Sequence, residues 1–153
     1  MIWLRSLAIV ALLATLGILI GVAQPKPSGE VIGLERTMCF GTCPAYKVML
    51  YPDGTLTYEG IAHVARMGKY KAKFWGSDFE RLSKLVDKLG LRKLKDKYSA
   101  PITDQPSAIT TMKTGGKTKV IDDYGHNGPI ELWGFNAAID GIVSNAKDWQ
   151  KVK

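Results

Sequence analysis

The stretch Ala45-Tyr46-Lys47-Val48-Met49-Leu50-Tyr51-Pro52-Asp53-Gly54-Thr55-Leu56-Thr57-Tyr58-Glu59-Gly60 decides the fold. Tyr46, Val48 and Leu50 alternate with Lys47 and Met49, the period of two that puts one set of side chains on each face of a strand. Pro52-Asp53-Gly54 marks a tight turn, because proline presets its φ and glycine accepts a positive one. Leu56 and Tyr58 then resume the alternation as far as Gly60. Two strands joined by so short a turn lie antiparallel.

Upstream, Val31 to Met38 reads as another strand, with Ile32 and Leu34 on one face. Downstream, 61–65 extends the second strand of the hairpin or bends at Gly60, which makes His63 an outward strand residue. Lys69 to Trp75 alternates again, with Tyr70, Ala72 and Phe74 inward and Lys69, Lys71 and Lys73 outward. A helix follows. Ser77 and Glu80 have the spacing of a capping box, Phe79, Leu82, Leu85, Val86 and Leu89 form the apolar stripe, and Gly90 ends it. Leu91 to Tyr98 reads as a short turn and extended piece, and 99–106 as a loop with two prolines. Ser107–Lys113 and Lys117–Tyr124 form a second hairpin through Thr114-Gly115-Gly116. A last helix runs from about Pro129 to Ala146, with Gly134 and Gly141 placed for close approach to the sheet. The order ββββαββα, rich in hairpins, predicts an α+β fold: an antiparallel sheet of about six strands with two helices on one face.

The N-terminal 23 residues stand apart. Arg5 is their one charge, and Leu7 to Ala23 is an apolar run with no charge. Gly21-Val22-Ala23 supplies the small residues of a cleavage site, so residues 1–23 read as a signal peptide cut after Ala23; the alternative is an uncleaved anchor over 7–23. Residues 24–30 form a proline-bearing linker, and 31–153 one globular domain. No cysteine follows the apolar run, so a lipoprotein is not indicated. The expected location is therefore the periplasm or cell envelope, with membrane contact only through the N-terminal segment if it is uncleaved.

The formal net charge of +7 falls by one when Arg5 leaves with the signal. In an exported chain that balance suits an anionic envelope component as partner, or simply keeps the protein soluble; export sets nucleic acid aside. The lysines at 69, 71 and 73 share one face, and Arg92, Lys93, Lys95 and Lys97 make a second basic run. Either contacts an anionic surface or is a solvated face that guards a strand against aggregation.

The two cysteines, Cys39 and Cys43, are the only ones in the chain. An even count in an exported protein reads as a disulfide, here a local staple between the first two strands. The alternatives are a redox pair, although thioredoxin-type sites have two intervening residues and a helix N-terminus, and a metal site, for which only His63 and His126 would remain as soft ligands.

Glu35-Arg36-Thr37-Met38-Cys39-Phe40-Gly41-Thr42-Cys43-Pro44-Ala45-Tyr46, with Asp53-Gly54 and Tyr58-Glu59-Gly60 after it, resembles a family of exported bacterial proteins, domain-of-unknown-function family 6438. Tyr98-Ser99-Ala100-Pro101-Ile102-Thr103-Asp104 is similar to a second signature of that family, and Asp123-Tyr124-Gly125 with the Pro129 helix to a third. The resemblance spans Val31 to Trp149 and implies one exported domain, with no activity to carry over. Met38 departs from it, standing where a small or polar residue is expected.

Candidate binding residues are Glu35, Arg36, Tyr46, Tyr98, Asp104, Asp123 and His126. Adjacent Glu35 and Arg36 point to opposite faces and look for partners across the sheet. Asp104 is a general base or cation ligand, or else bonds its own backbone in a turn. Asp122, Asp123, His126 and Asn127 form the richest polar cluster, able to hold a cation or do acid–base work, or else to end a strand and start a helix. A hydrolase would need Asp104, Asp123 and His126 to meet in one pocket. No nucleophile elbow, His-Glu-x-x-His or phosphate-cradling glycine loop occurs, and no cofactor or metal is expected. The reading that remains is a non-catalytic binding module, with a thiol–disulfide protein as the alternative.

Overall fold

The structure is a computed structural model that describes residues 29–153. The expected signal or anchor segment (1–23) and residues 24–28 of the expected linker lie outside the described residues. Eight strands form one sheet: β1 Val31–Arg36, β2 Ala45–Leu50, β3 Thr55–Ala62, β4 Gly68–Lys73, β5 Lys97–Ser99, β6 Ser107–Thr114, β7 Lys117–Tyr124 and β8 Lys147–Lys151. The helices are α1 Gly76–Lys88 and α2 Ile130–Asn145, with a 3-10 turn at Leu91–Lys93. Across the sheet the order is β5-β7-β6-β1-β2-β3-β4-β8, antiparallel except for the β5–β7 pair.

Alternation builds the core as the sequence requires. Ile32, Leu34, Val48, Leu50 and Leu56 are fully buried from one face of the sheet, against Phe79, Leu82 and Val86 of α1 and Leu132, Phe135 and Ile139 of α2. Both helices therefore cover one face. On the other face Lys47, Glu59, Lys69 and Lys71 are exposed, and Lys47 pairs with Glu35 at 3.2 Å.

Several expectations need correction. The sheet has eight strands, not six. β5 is only three residues long, too short to show a period. β8 reads Lys-Asp-Trp-Gln-Lys, and its one inward anchor is Trp149, which lies edge-on to Tyr58 at 5.5 Å and to Tyr70 at 6.2 Å. The Ser77–Glu80 capping box does not form. Trp75 caps α1 with no side-chain hydrogen bond, and Ser77 lies within the first turn. Phe74 N–H donates to Gly54 O at 2.8 Å, so the chain leaving β4 is held against the β2–β3 turn and becomes helical at Gly76. Gly134 and Gly141 do not approach the sheet, since a Cβ at either would meet nothing within 4 Å. His63 is in the β3–β4 turn at φ 52°, not an outward strand residue.

Candidate functional site

The strand register converts separate sequence motifs into one transverse row. Tyr98 pairs with Asp123, Asp123 with Ala108, Ala108 with Arg36, Arg36 with Tyr46, and Tyr46 with Gly60. Directly opposed residues share a face, so Arg36, Tyr46, Tyr98 and Asp123 line up on the helix side of the sheet. Glu35 lies on the other side. Beyond the row, the chain turns through every loop at that end of the sheet: 37–44, 63–67, 100–106 and 125–129.

The row holds those loops in place. Asp123 is 1% exposed. Its Oδ1 accepts from the backbone N–H of Asn127 (2.8 Å) and Gly128 (2.7 Å), and its Oδ2 from Trp133 Nε1 at 3.1 Å. One carboxylate thus closes the β7–α2 turn and fixes the first helical turn behind it. Farther along, Arg36 pairs with Asp140 of α2 at 2.5 Å, Arg36 Nε donates to Tyr46 Oη at 3.1 Å, and the Tyr46 hydroxyl donates to Asp140. Burial and the Asp140 hydrogen bond push the Tyr46 pKa far above the usual tyrosine value, so the hydroxyl keeps its proton. For Arg36, burial opposes the charge, but the Asp140 hydrogen bond and charge outweigh it and raise the pKa. The cluster ties α2 to β1 and β2, and offers neither a phenolate nor a free carboxylate for acid–base work. Tyr46 also stacks on Tyr58 at 5.5 Å.

The loops are bound to one another as well. Thr37 and Ser107 exchange two hydrogen bonds (3.0 and 2.8 Å), Phe40 N–H donates to Asp104 O at 3.3 Å, and Gly125 N–H to Pro106 O at 3.1 Å. Asn127 Nδ2 reaches Ser99 O at 3.1 Å. Cys39 and Cys43 form a disulfide with Cα atoms 5.7 Å apart, closing the β1–β2 loop. The β3–β4 turn folds back so closely that a Cβ on Gly60 would fall 1.8 Å from Arg66 O, and the Arg66 guanidinium lies 4.2 Å from the Trp149 ring centroid.

On this framework sit the apolar side chains that face water. Of the ten large hydrophobic residues exposed among the described residues, seven lie at this end: Met38, Phe40, Ile61, Met67, Ile102, Ile130 and Trp133. Phe40, between the two cysteines, is 91% exposed. His126 packs on Trp133 at 5.4 Å. Among the described residues, three of the four non-glycine positions at positive φ, His63, Asp104 and His126, are here too. Such backbone costs energy and gathers at functional sites.

The expected polar constellation does not assemble. Asp123 is committed to the turn and to Trp133, Asp104 is exposed, and His126 lies tilted against the indole, and the three share no hydrogen bond among the described residues. Tyr98 Oη accepts from Lys95 N–H at 3.2 Å. Arg92 of the second basic run is turned to Asp87 and Thr114. No group of three His, Cys, Asp or Glu among the described residues is placed to hold a metal ion. Sequence reasoning missed Asp140, Phe40 and Trp133. Asn136 and Asp140, polar residues four apart beside the buried stripe of α2, were the available signal for Asp140. Phe40 was signalled by being a lone aromatic inside a stapled polar loop.

No curated protein matches the chain. A family model described as a domain of unknown function, DUF6438, matches residues 30–143. That span runs from the start of β1 nearly to the end of α2, and takes in the buried row and all four loops. The chain belongs to the DUF6438 family.

Proposed function

We propose that this chain is an exported, non-catalytic interaction module of the cell envelope that takes a protein partner on the loop end of its sheet. One observation carries the reading: of the ten exposed large hydrophobics among the described residues, seven lie at this end of the sheet, with Met38, Phe40, Met67 and Ile102 on its loops, Ile61 at the end of β3 and Ile130 and Trp133 in the first turn of α2, and hydrogen bonds and a disulfide fasten those loops. Exposed apolar side chains gathered in one place mark interaction surfaces. Loops already fixed lose little entropy on binding, and aromatic side chains such as Phe40 and Trp133 serve as anchors. Strand addition is the less suitable mode, since β5 has three residues and β8 carries charges at both ends, features that block edge pairing. The lysine face is a weaker candidate for an anionic component, because Lys69 lies opposite Glu59, and Glu35 pairs with Lys47 nearby.

The test uses a photo-cross-linker at position 40, and separately at position 71, in the native envelope fraction. A protein trapped from position 40 and not 71, with its affinity lost in Phe40→Asp and kept in the Lys69→Glu/Lys71→Glu/Lys73→Glu chain, is the expected result. Capture from 71 alone, or an affinity indifferent to Phe40→Asp, overturns the reading.

A second reading, a thiol–disulfide protein, is supported by Cys39 and Cys43 both being half-exposed on that same end. A reduction potential of about −120 to −200 mV favours it, and one below about −300 mV makes the bridge a structural staple.

A further inference from the structure

The loop end differs from the rest of the molecule in charge as well as in apolar exposure. Loops 37–44, 63–67, 100–106 and 125–129 hold 25 residues, of which two, Arg66 and Asp104, are charged, against 23% over the chain. Loops of a domain are ordinarily its polar part. Arg66 is already engaged, since its guanidinium lies 4.2 Å from the Trp149 ring centroid. Asp104 is held beside Phe40, whose N–H donates to its backbone oxygen at 3.3 Å. The charges of the molecule gather elsewhere. Exposed Lys47, Glu59, Lys69 and Lys71 lie on the open sheet face, and exposed Lys113 and Lys117 flank the β6–β7 turn at the far end.

Shape adds a second constraint. Phe40 is 91% exposed, with Met38 at 62% and Ile102 at 51%. A ring so exposed is a projection and lines no groove of its own chain, and the Cys39–Cys43 bridge closes the loop that carries it. Burying the ring therefore needs a concavity on the partner. Charged groups lining that concavity would lose their water and meet almost no opposite charge here, which is costly. A bilayer is the other apolar host, but segments that enter an anionic one carry Lys or Arg beside their apolar residues to meet the headgroups. Loops 37–44, 100–106 and 125–129 have neither. We propose that Phe40 inserts into an uncharged apolar pocket of a protein partner, so that this chain supplies the knob and the partner the hole. The proposal rests on the loop end being the interface.

The protein trapped through position 40 is isolated, and its affinity for the full chain is measured at about 0.05 and about 1 M NaCl. Agreement within about twofold is expected, because salt screens charges and few meet in this contact. Thr42 is exposed two residues from Phe40. Thr42→Glu and Thr42→Lys should each weaken binding by about tenfold or more, whatever the sign, while Thr42→Gln, long but neutral, should stay within about threefold. Asp104→Asn, which tolerates the left-handed backbone there, should also stay within about threefold. Opposite effects of Thr42→Glu and Thr42→Lys, or a loss of about tenfold at high salt, would give the partner a charged surface and overturn the proposal while the interface reading stands. Binding of the full chain to phosphatidylethanolamine–phosphatidylglycerol vesicles, or self-association in sedimentation, overturns it too if Phe40→Asp abolishes it; the occupant is then a bilayer or a second copy. No protein trapped at position 40, or an affinity indifferent to Phe40→Asp, removes the interface reading itself and this proposal with it.

Discussion

The two ends of the sheet are built on different rules. At the end away from the row, β2 passes to β3 and β6 to β7 through tight turns whose positive φ angles fall on glycine: Gly54 at 75°, Gly115 at 56° and Gly116 at 72°. At the loop end the connections are longer, and His63, Asp104 and His126 hold left-handed backbone that glycine would adopt at less cost. The hairpin turns of one end reverse the chain cheaply, although Asp148 at the start of β8 there is also left-handed at φ 54°. The loop end holds three such residues and most of the exposed apolar groups, and a buried row of polar side chains supports it. A fold optimised only for stability would treat its ends alike.

The sharpest way to break that contrast is to remove the central support. Asp123→Ala leaves two backbone N–H groups and an indole N–H without their acceptor in a buried place. The expected loss is about 3–5 kcal/mol in urea unfolding. Asp123→Asn keeps one acceptor oxygen and should lose roughly half as much. A loss below about 0.5 kcal/mol for the alanine variant would mean that the turn holds itself and the row is not its support.

The Arg36–Tyr46–Asp140 cluster gives a smaller effect with a pH signature. Asp140→Ala strips Arg36 of its carboxylate. Because both side chains retain some solvent contact, the expected cost is about 2 kcal/mol, less than for a fully buried pair. Tyr46 has a folded pKa raised above its ordinary value of 10.0 by burial and Asp140. Its contribution is complete below that ordinary value, and is lost as pH rises through 10.0 toward the folded pKa, because the unfolded chain ionises first. Tyr46→Phe should flatten part of the alkaline fall in stability; Tyr58, also raised by burial, keeps the rest. Identical alkaline slopes for the two chains would remove Tyr46 from the account.

How much of this was legible depends on the range of the pattern. Strands β1 to β4, β6 and β7 declare themselves because their alternation is local, as in Tyr46, Val48 and Leu50. β8 does not, because Trp149 is its single inward apolar residue and a period needs at least two. The individual residues of the row were visible as well: Arg36, Tyr46, Tyr98 and Asp123 each stood out chemically. Their alignment was not, since it depends on β1 pairing with β6 and β5 with β7, contacts between segments far apart in sequence. The same gap explains the hydrolase idea. Asp123 and His126 are neighbours in the chain, yet Asp123 points into the turn it closes and His126 out onto Trp133.

The disulfide tests whether the loop end is fastened by covalent or by hydrogen-bonded ties. Replacing Cys39 and Cys43 by serine opens a small loop, which the chain-entropy model values at about 2 kcal/mol. The Thr37–Ser107 pair and the Phe40–Asp104 bond remain to hold the loop. Hydrogen exchange should therefore accelerate at 38–43 and stay slow at Ser107 and Gly125. Uniform acceleration through 100–106 and 125–128 would show that the bridge is the common fastening of this end.

The smallest expected effect discriminates best. Phe40 is nearly fully exposed and its side chain supports no neighbour, so Phe40→Ser should change folding stability by no more than about 0.5 kcal/mol. Were the two ends of the molecule equivalent, so large an exposed aromatic would be a cost in solubility without return, and its replacement would improve the protein in every assay. If the loop end is an interface, the same substitution should leave the unfolding midpoint where it was and remove the anchor from the partner's surface. Unfolding and partner affinity measured on one preparation of Phe40→Ser separate the cases. Unchanged stability with lost affinity assigns Phe40 to binding, while unchanged affinity leaves its exposure without a role and returns the apolar cluster to chance.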